Sequence, residues 1–373
     1  MPEIIVVGAR GIPNMEGGAE KNAEKVFPRI VAAGPTVELL GISKFIDRPE
    51  FQGVRLTGIP TVNFLKTDKV LYNFLAFLHA AVKRPKIVHM QCLSAALFLL
   101  LYKLVGLRVV VRYGSTDYEL QKWGMVERWA LHMCEYQMRF ADHVIAVSET
   151  FRRHLIDRHG LKRISVVPNG LDPVEVSDEA RAFKTELGLD GKRYVLAVGR
   201  VTQQKDFETL VQAVRGLDDP DAQLIVVGGA ESEYGERLFA QNDERVRFIG
   251  RIDRSLISAL YQDCSVYVNS SRHEGLSNAV LEALSYSCPL VVSDIPANAE
   301  MGLPAANYFT VGDVEGLRGK ISAALATPEA FRCPTEQFAQ WSDVCERTLE
   351  VYRDIMPDQR IRTVDGRDAA ETN

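Results

Sequence analysis

Ser270-Ser271-Arg272-His273-Glu274-Gly275-Leu276-Ser277-Asn278-Ala279-Val280-Leu281-Glu282-Ala283-Leu284 is the stretch on which the fold turns. It follows the apolar run Val266–Asn269, which predicts a strand, and its apolar spacing becomes helical near Ser277 or Asn278. Ser277 suits a helix N-cap, after which free backbone amides point toward whatever lies at the helix start. Glu274 falls on the loop. Glu282 falls four residues beyond Asn278, on the same helical face. One carboxylate can accept from sugar hydroxyls and the other from ribose hydroxyls, with the amides between them on phosphate. Read alone, Glu282 equally fits an ordinary acid on a helix surface.

Outward from this strand–loop–helix unit the same alternation repeats. Tyr194–Val198, Leu224–Val227, Val246–Ile249 and Leu290–Ser293 are predicted strands. Phe207–Arg215, Arg254–Gln262 and Ala279–Ser285 are predicted helices. The first half runs likewise: strands at Ile4–Val7, Val37–Leu40, Ile87–Met90, Val109–Arg112, His143–Val147 and Ser165–Val167, with helices at Ala19–Ala33, Val70–Val82, Leu93–Val105, Met125–Phe140 and Glu149–His159. The expectation is an α/β protein of two Rossmann-like, doubly wound domains facing a central cleft. Residues 1–170 form the first domain and 171–340 the second. A helix at 341–356 returns to the first, and 357–373 is read as a disordered tail. A helix near Glu179–Leu187 occupies the connection.

Two further loops suit a diphosphate. In Val198-Gly199-Arg200-Val201-Thr202-Gln203-Gln204-Lys205-Asp206, a strand end is followed by two cations five residues apart. Fixed positive charge at the carboxyl end of a parallel strand fits a leaving diphosphate, although two solvated surface cations would read the same. In the first half, Gly8 closes a strand and Gly17-Gly18 opens a helix, where glycine lets a backbone approach an anion. A structural turn accounts for that loop equally well. No GxGxxG is present in either half, which disfavours a nicotinamide oxidoreductase.

The 373 residues are 46% hydrophobic and 25% charged, the composition of a folded soluble chain. The net charge of −5 conceals an asymmetry: residues 1–170 carry 23 Lys and Arg against 15 Asp and Glu, the remainder 21 against 34. A basic first half hints at an anionic partner such as a membrane face, and a chance bias of surface charge explains it as well. The six cysteines form no CxxC pair, so reduced thiols in the cytoplasm are expected. The start, MPEIIVVGARG, enters a strand directly and lacks signal-peptide character. The longest apolar run, Leu93–Leu101, is short of the roughly 20 residues of a membrane span. Asp219-Pro220-Asp221 has the DxD form of metal-dependent transferases but sits in a polar turn. No metal, no cofactor and no nucleic-acid partner are expected.

Taken in order, GGAE (Gly17–Glu20), ADHVIAVSETFRRHL (Ala141–Leu155), VVPNGLD (Val166–Asp172), GRVTQQKDFETLVQA (Gly199–Ala213), EGLSNAVLEAL (Glu274–Leu284) and PLVVSD (Pro289–Asp294) resemble the retaining glycosyltransferases of family 4, which have the GT-B fold. The resemblance covers nearly the whole chain. The two glutamates eight residues apart, with Arg200 and Lys205, are its most specific part. VVGARGIPNMEGGAE and TDYELQKWG (Thr116–Gly124) are similar to a subgroup of rhamnosyl- and mannosyl-type transferases of bacterial surface polysaccharide assembly. The resemblance implies metal-free, retaining transfer from a nucleotide diphosphate sugar, the donor substrate, to a glycan or lipid-linked acceptor. It implies that Arg200 and Lys205 neutralise the leaving diphosphate and that Glu274 positions the sugar. Gly275, Leu276, Ser277, Asn278 and Ala279 would line sugar and phosphates, with Glu282 on the ribose. Gly199 would lie beside the diphosphate, and Gly250, Arg251 and Ile252 near the base. Gly17 and Gly18 would approach the phosphate from the first domain.

One segment departs from the pattern. Many members carry a sugar-contacting histidine after the fourth strand of the first domain. Here Val111-Arg112-Tyr113-Gly114-Ser115-Thr116-Asp117 puts Tyr113 in that place, with Asp117 the nearest carboxylate. His89 is a further sugar or acceptor candidate, and a buried core histidine fits it as well. Two rival readings share the fold: a nucleotide-sugar hydrolase or epimerase, and a non-catalytic nucleotide-sugar-binding subunit.

Overall fold

Runs such as Ile4–Val7 and Val266–Asn269 have all four side chains buried, the pattern of parallel strands covered by helices on both faces. The computed structural model describes residues 1–15, 17–61, 68–115, 124–171, 176–230 and 232–356. Asp117, Asp172, the segment 116–123 and the tail 357–373 lie outside the described residues. The chain divides into two compact units: Met1–Asn169 with the chain from Gln340 onward, and Gly170–Ala339.

The first unit is built from β1 (Ile4–Val7), α1 (Gly18–Ala32), β2 (Val37–Ile42), β3 (Glu50–Phe51), β4 (Val54–Ile59), α2 (Asp68–Lys83), β5 (Ile87–Met90), α3 (Leu99–Leu104), β6 (Val109–Tyr113), α4 (Met125–Gln137), β7 (His143–Ala146), α5 (Glu149–His159) and β8 (Ile164–Val166). Its sheet runs β3-β4-β2-β1-β5-β6-β7-β8, parallel except for the β3–β4 hairpin. The order reverses between β1 and β5. There Gly8 is packed shut: a Cβ added to it would lie 2.9 Å from Ala95 Cβ and 3.0 Å from Cys92 Sγ.

Two sequence expectations change here. The single helix expected over Leu93–Val105 is a 3-10 helix, Leu93–Phe98, followed by α3; the tighter winding brings Ala95 against Gly8. β3 and β4 were not expected. In Val-Arg-Leu-Thr-Gly-Ile the apolar positions alternate with exposed Arg55, and pairing with β2 makes that run a strand.

The second unit comprises α6 (Asp178–Glu186), β9 (Tyr194–Val198), α7 (Phe207–Arg215), β10 (Gln223–Val227), α8 (Glu233–Phe239), β11 (Val246–Gly250), α9 (Ser258–Asp263), β12 (Val266–Asn269), α10 (Asn278–Ser285), β13 (Leu290–Ser293), α11 (Pro296–Ala299), β14 (Tyr308–Phe309) and α12 (Val314–Ala326). The sheet order is β11-β10-β9-β12-β13-β14. Phe207, Leu210 and Val214 of α7 share one core layer with Leu317 and Ile321 of α12. On the other face, Leu260 of α9 and Leu281 and Leu284 of α10 pack with Tyr194, Leu196 and Tyr267. The order reverses between β9 and β12, so the loops leaving their carboxyl ends adjoin at a topological switch point.

The last helix, α13 (Trp341–Ile355), belongs to the first unit and packs on α1. Gln340 and Asp343 form a reciprocal capping box at its start. Its Tyr352 is fully buried.

Candidate functional site

The β9 loop leaves the sheet through Gly199, whose φ of 152° brings its backbone against a second glycine, Gly228, at the end of β10. A Cβ on Gly228 would stand 1.9 Å from the Gly199 carbonyl oxygen, so no side chain is compatible with this crossing. Val201 N donates to Gly229 O at 2.9 Å, which fixes the exposed Arg200 at the carboxyl edge. A 3-10 turn, Gln203–Lys205, and left-handed Asp206 then start α7. The turn aims Lys205 back beside Gly199: a Cβ there would meet Lys205 Cε at 3.1 Å.

Lys205 Nζ donates to Glu274 Oε1 in a close ion pair whose side chains are only 16% and 10% exposed. Ser271 Oγ donates to the same oxygen at 2.8 Å. The two loops are stitched along their length: Gln204 Nε2 to His273 O at 2.8 Å, Arg272 N to Gln204 O at 2.8 Å, and Ser270 Oγ to Lys205 O at 2.8 Å. Buried Asp206 accepts from Arg272 Nη2 at 2.8 Å and from Thr209 Oγ1 at 2.9 Å. The β9 and β12 loops therefore form one rigid body carrying a cation and a carboxylate at the switch point.

Ser277 is the N-cap residue of α10, but its side chain accepts no capping bond. Its Oγ instead takes Asn269 Nδ2 at 3.4 Å, which leaves the first amides of α10 without a cap from it. Glu282, one helical turn further, is held at both oxygens: Arg254 Nη2 donates to Oε1 and Tyr261 OH to Oε2, each at 2.9 Å. Burial, then the Glu282 charge, hold the Tyr261 hydroxyl well above its ordinary pKa, so it remains a donor. Tyr286 stacks on Tyr261 with ring centroids 5.5 Å apart. Gly250 has φ 78° and open space where a Cβ would project. Arg251 lies across Gly229, and Ile252 packs on the α9–α10 core layer. Gly275 is buried, while Leu276, Asn278 and Ala279 are half-buried around the start of α10.

Lys205 and Glu274 are thus in direct contact, and Glu282 sits in an ion pair of its own. Arg254, Ser271, Tyr261 and the Gly228-Gly229 pair were missed from sequence. The signal available was that β9, β10 and β11 each reach a glycine at the carboxyl end: Gly199, Gly228 and Gly250.

In the first unit, Gly17 has φ 129° and Gly18 is the first residue of α1. Glu20 Oε1 accepts from Arg10 N at 3.2 Å and Arg10 Nε at 2.9 Å, and a Cβ on Gly17 would be 2.1 Å from Glu20 Oε2. The sugar contacts expected of His89 and Tyr113 need correction, because both are inside. His89 is 2% exposed, lies edge-on to Phe27 and bonds Tyr352 OH through Nδ1 at 2.6 Å. Burial, then the Arg112 charge, lower its pKa to about 3. Tyr113 is 0% exposed and donates to Glu135 Oε1 at 2.5 Å. His154 and His159 bond Glu135 as well, at 3.1 and 2.8 Å. Burial alone would raise the Glu135 pKa; the bonds from His154, His159 and Tyr113 outweigh it and hold the carboxyl at about 2.

Among the described residues no group of three or more His, Cys, Asp or Glu could hold a metal ion. Asp219 is committed to Arg193 Nη2 at 2.9 Å and to Asp221 N at 3.1 Å. All six cysteines are free thiols.

Two doubly wound units of this order define the GT-B fold. Two family models match the chain in succession: residues 16–175 match the one described as Glycosyltransferase Family 4, and residues 192–327 the one described as Glycosyl transferases group 1. It is 29% identical over 179 residues to an uncharacterized glycosyltransferase of Methanocaldococcus jannaschii, covering 44% of this chain and 46% of that one. It is 28% identical over 275 residues to alpha-maltose-1-phosphate synthase of Mycolicibacterium smegmatis, covering 64% and 67%. The chain thus spans about half of the first relative's length and two thirds of the second's. Among solved structures, sucrose-phosphate synthase of Thermosynechococcus elongatus superposes with a TM-score of 0.79 at 19% identity, over 95% of this chain and 99% of that one. An Anabaena protein in complex with UDP-glucose gives 0.76 at 16% identity, over 94% and 99%.

Proposed function

We propose that the chain transfers a hexose or deoxyhexose, with retention and without a metal, from a nucleotide diphosphate sugar to a glycan or lipid-linked acceptor of bacterial surface polysaccharide assembly. The observation that carries this reading is the Lys205–Glu274 pair at the β9–β12 switch point, beside the backbone of Gly199. The sugar-phosphate synthases among the similar proteins and the UDP-glucose bound to a structural neighbour support a nucleotide-sugar donor.

In this reading Arg200 and Lys205 neutralise the diphosphate as the bond from sugar C1 to phosphate oxygen breaks, a preorganised electrostatic stabilisation. Glu274 orients both the Lys205 ammonium and the sugar, and the amides at the start of α10 bind phosphate. Glu282 accepts from the ribose hydroxyls, its orientation set by Arg254 and Tyr261. The Gly250–Ile252 turn lies near the base. The acceptor oxygen bonds C1 on the face the diphosphate leaves, and its proton passes to the departing phosphate oxygen. Asp219, committed to Arg193 and its own turn, supplies no metal bridge.

The deciding experiment is a thermal-shift screen across UDP-, GDP-, ADP- and dTDP-sugars, because a ligand bound only by the folded chain raises Tm. Product analysis with the stabilising donor follows. Transfer that requires acceptor supports the proposal. Full-speed donor turnover without acceptor points to a hydrolase or epimerase, and binding without any turnover to a non-catalytic subunit.

A further inference from the structure

We infer that Arg272 is the positioning residue of Lys205: it grips the chain on both sides of that lysine and fixes where the ammonium stands. The backbone amide of Arg272 donates to Gln204 O at 2.8 Å, one residue before Lys205. Its guanidinium donates through Nη2 to Asp206 Oδ2, also at 2.8 Å, one residue after. Arg272 lies two residues ahead of Glu274, whose Oε1 receives both Lys205 Nζ and Ser271 Oγ. One residue therefore sets the lysine against its carboxylate partner. This role rests on the donor-transfer reading of the site.

Asp206 shows that the grip is built in. Its φ of 50° is left-handed, a region that glycine enters freely and aspartate only at a cost. Its side chain is 6% exposed. It occupies the N-cap position of α7, where an aspartate ordinarily accepts from an amide of the first turn. Here it makes no capping bond and instead accepts from Arg272 and from Thr209 Oγ1, the latter at 2.9 Å. A buried carboxylate held in a disfavoured backbone region persists only where its surroundings over-determine it. The Thr209 contact is local to α7. The Arg272 contact crosses to the β12 loop and couples the lysine turn to Glu274.

With its side chain 56% exposed, Arg272 would contribute little to stability as an ordinary surface ion pair. The burial of its partner makes the pair asymmetric, because removing the arginine strands a desolvated carboxylate beside Lys205. The guanidinium is also backed by the turn before α12. A Cβ added to Gly312 would lie 3.5 Å from Arg272 Nη2 and 3.6 Å from Nη1, which restricts where the fork can swing. A lysine at this position would supply a point charge without the planar fork. Engaged on Asp206 and backed by Gly312, the guanidinium acts through Lys205 and not on the substrate.

The first arm of the test uses no sugar. Acetylation of Lys205 in the full chain by an amine-reactive ester is followed by peptide mass spectrometry, with exposed Lys192 as internal reference. Arg272→Ala is expected to raise the Lys205 rate roughly tenfold, the scale of a lost hydrogen bond to a charged group, with the melting transition retained. In transfer assays the same variant should lose kcat roughly tenfold while the donor KM stays within about twofold, the pattern of a displaced catalytic group. Arg272→Lys should recover part of both. Asp206→Gly keeps the left-handed turn without strain and should match Arg272→Ala, with the double variant no worse than either single. Unchanged Lys205 labelling in Arg272→Ala or Asp206→Gly overturns the inference, as do losses that add in the double variant. A raised donor KM at constant kcat overturns it too, by putting the guanidinium on the donor itself. Labelling that rises while kcat holds instead removes Lys205 from the transfer reaction and leaves the grip on it intact.

Discussion

Both units reverse strand order near the middle of a parallel sheet, yet they use that point in opposite ways. In the first, the β1–β5 switch point is filled by Gly8 packed on Cys92 and Ala95, and the polar side chains nearby are sealed in: His89 on Tyr352, Tyr113 on Glu135. In the second, the β9–β12 switch point holds Lys205 and Glu274, partly open to solvent and braced by loop-to-loop hydrogen bonds. The same fold rule offers a crevice in each unit, and the side chains at the strand ends decide whether it is core or site. The outer surfaces invert the contrast, since among the described residues the exposed large hydrophobic side chains all belong to the first unit.

The sharpest way to break this contrast is kinetic. Lys205→Ala or Glu274→Ala should each cost roughly 10²–10³ in transfer rate, the usual loss for one charge-stabilising group, with the melting transition retained. Near-wild-type turnover in either would remove the second unit's claim to the chemistry. Next in size, Glu282→Ala should weaken donor binding by about ten- to a hundredfold, the range for hydrogen bonds to a charged group. Calorimetric titration with donor reads it, and an unchanged Kd would release Glu282 from the ribose.

Tyr113→Phe tests the first unit. It should lower stability by about 1 kcal/mol through the lost bond to Glu135 while transfer stays within roughly twofold of wild type. A large kinetic loss with unchanged stability would return Tyr113 to the sugar.

Acid should act on the first unit's interior. His89 is held neutral down to about 3 against 6.5 for an ordinary histidine. The unfolded chain therefore binds a proton that the folded chain refuses, and stability, complete above pH 6.5, declines as pH falls from there toward 3. Glu135, at about 2 against 4.5, adds a second loss as pH falls from 4.5 toward 2. Urea midpoints measured against pH should show this slope, and His89→Gln should flatten its upper part. The smallest effect concerns metal: activity is expected to survive EDTA, and loss restored by magnesium or manganese would contradict the metal-free mechanism.

Much of the second unit could be read directly. Tyr194–Val198, Val266–Asn269 and Leu290–Ser293 are strands over the residues expected, because buried parallel strands are continuous apolar runs bounded by polar turns. β3 and β4 escaped because one is two residues long and the other has few apolar positions, and both gain partners only in the folded sheet. Lys205 and Glu274 were legible as residues with the right chemistry. Their contact was not, since 69 positions separate them in the chain.

What the sequence determined alone was periodicity and chemistry: two runs of alternating strands and helices, and charged groups after strand ends, because side-chain spacing and turn preferences are local. Which charged groups pair and which polar ones are buried was decided only by tertiary structure. Burial and pairing depend on strand order, and strand order brings distant loops together at one edge while closing another. His89 and Lys205 both follow from that: equally polar in sequence, one lies under a helix and the other at an open strand end.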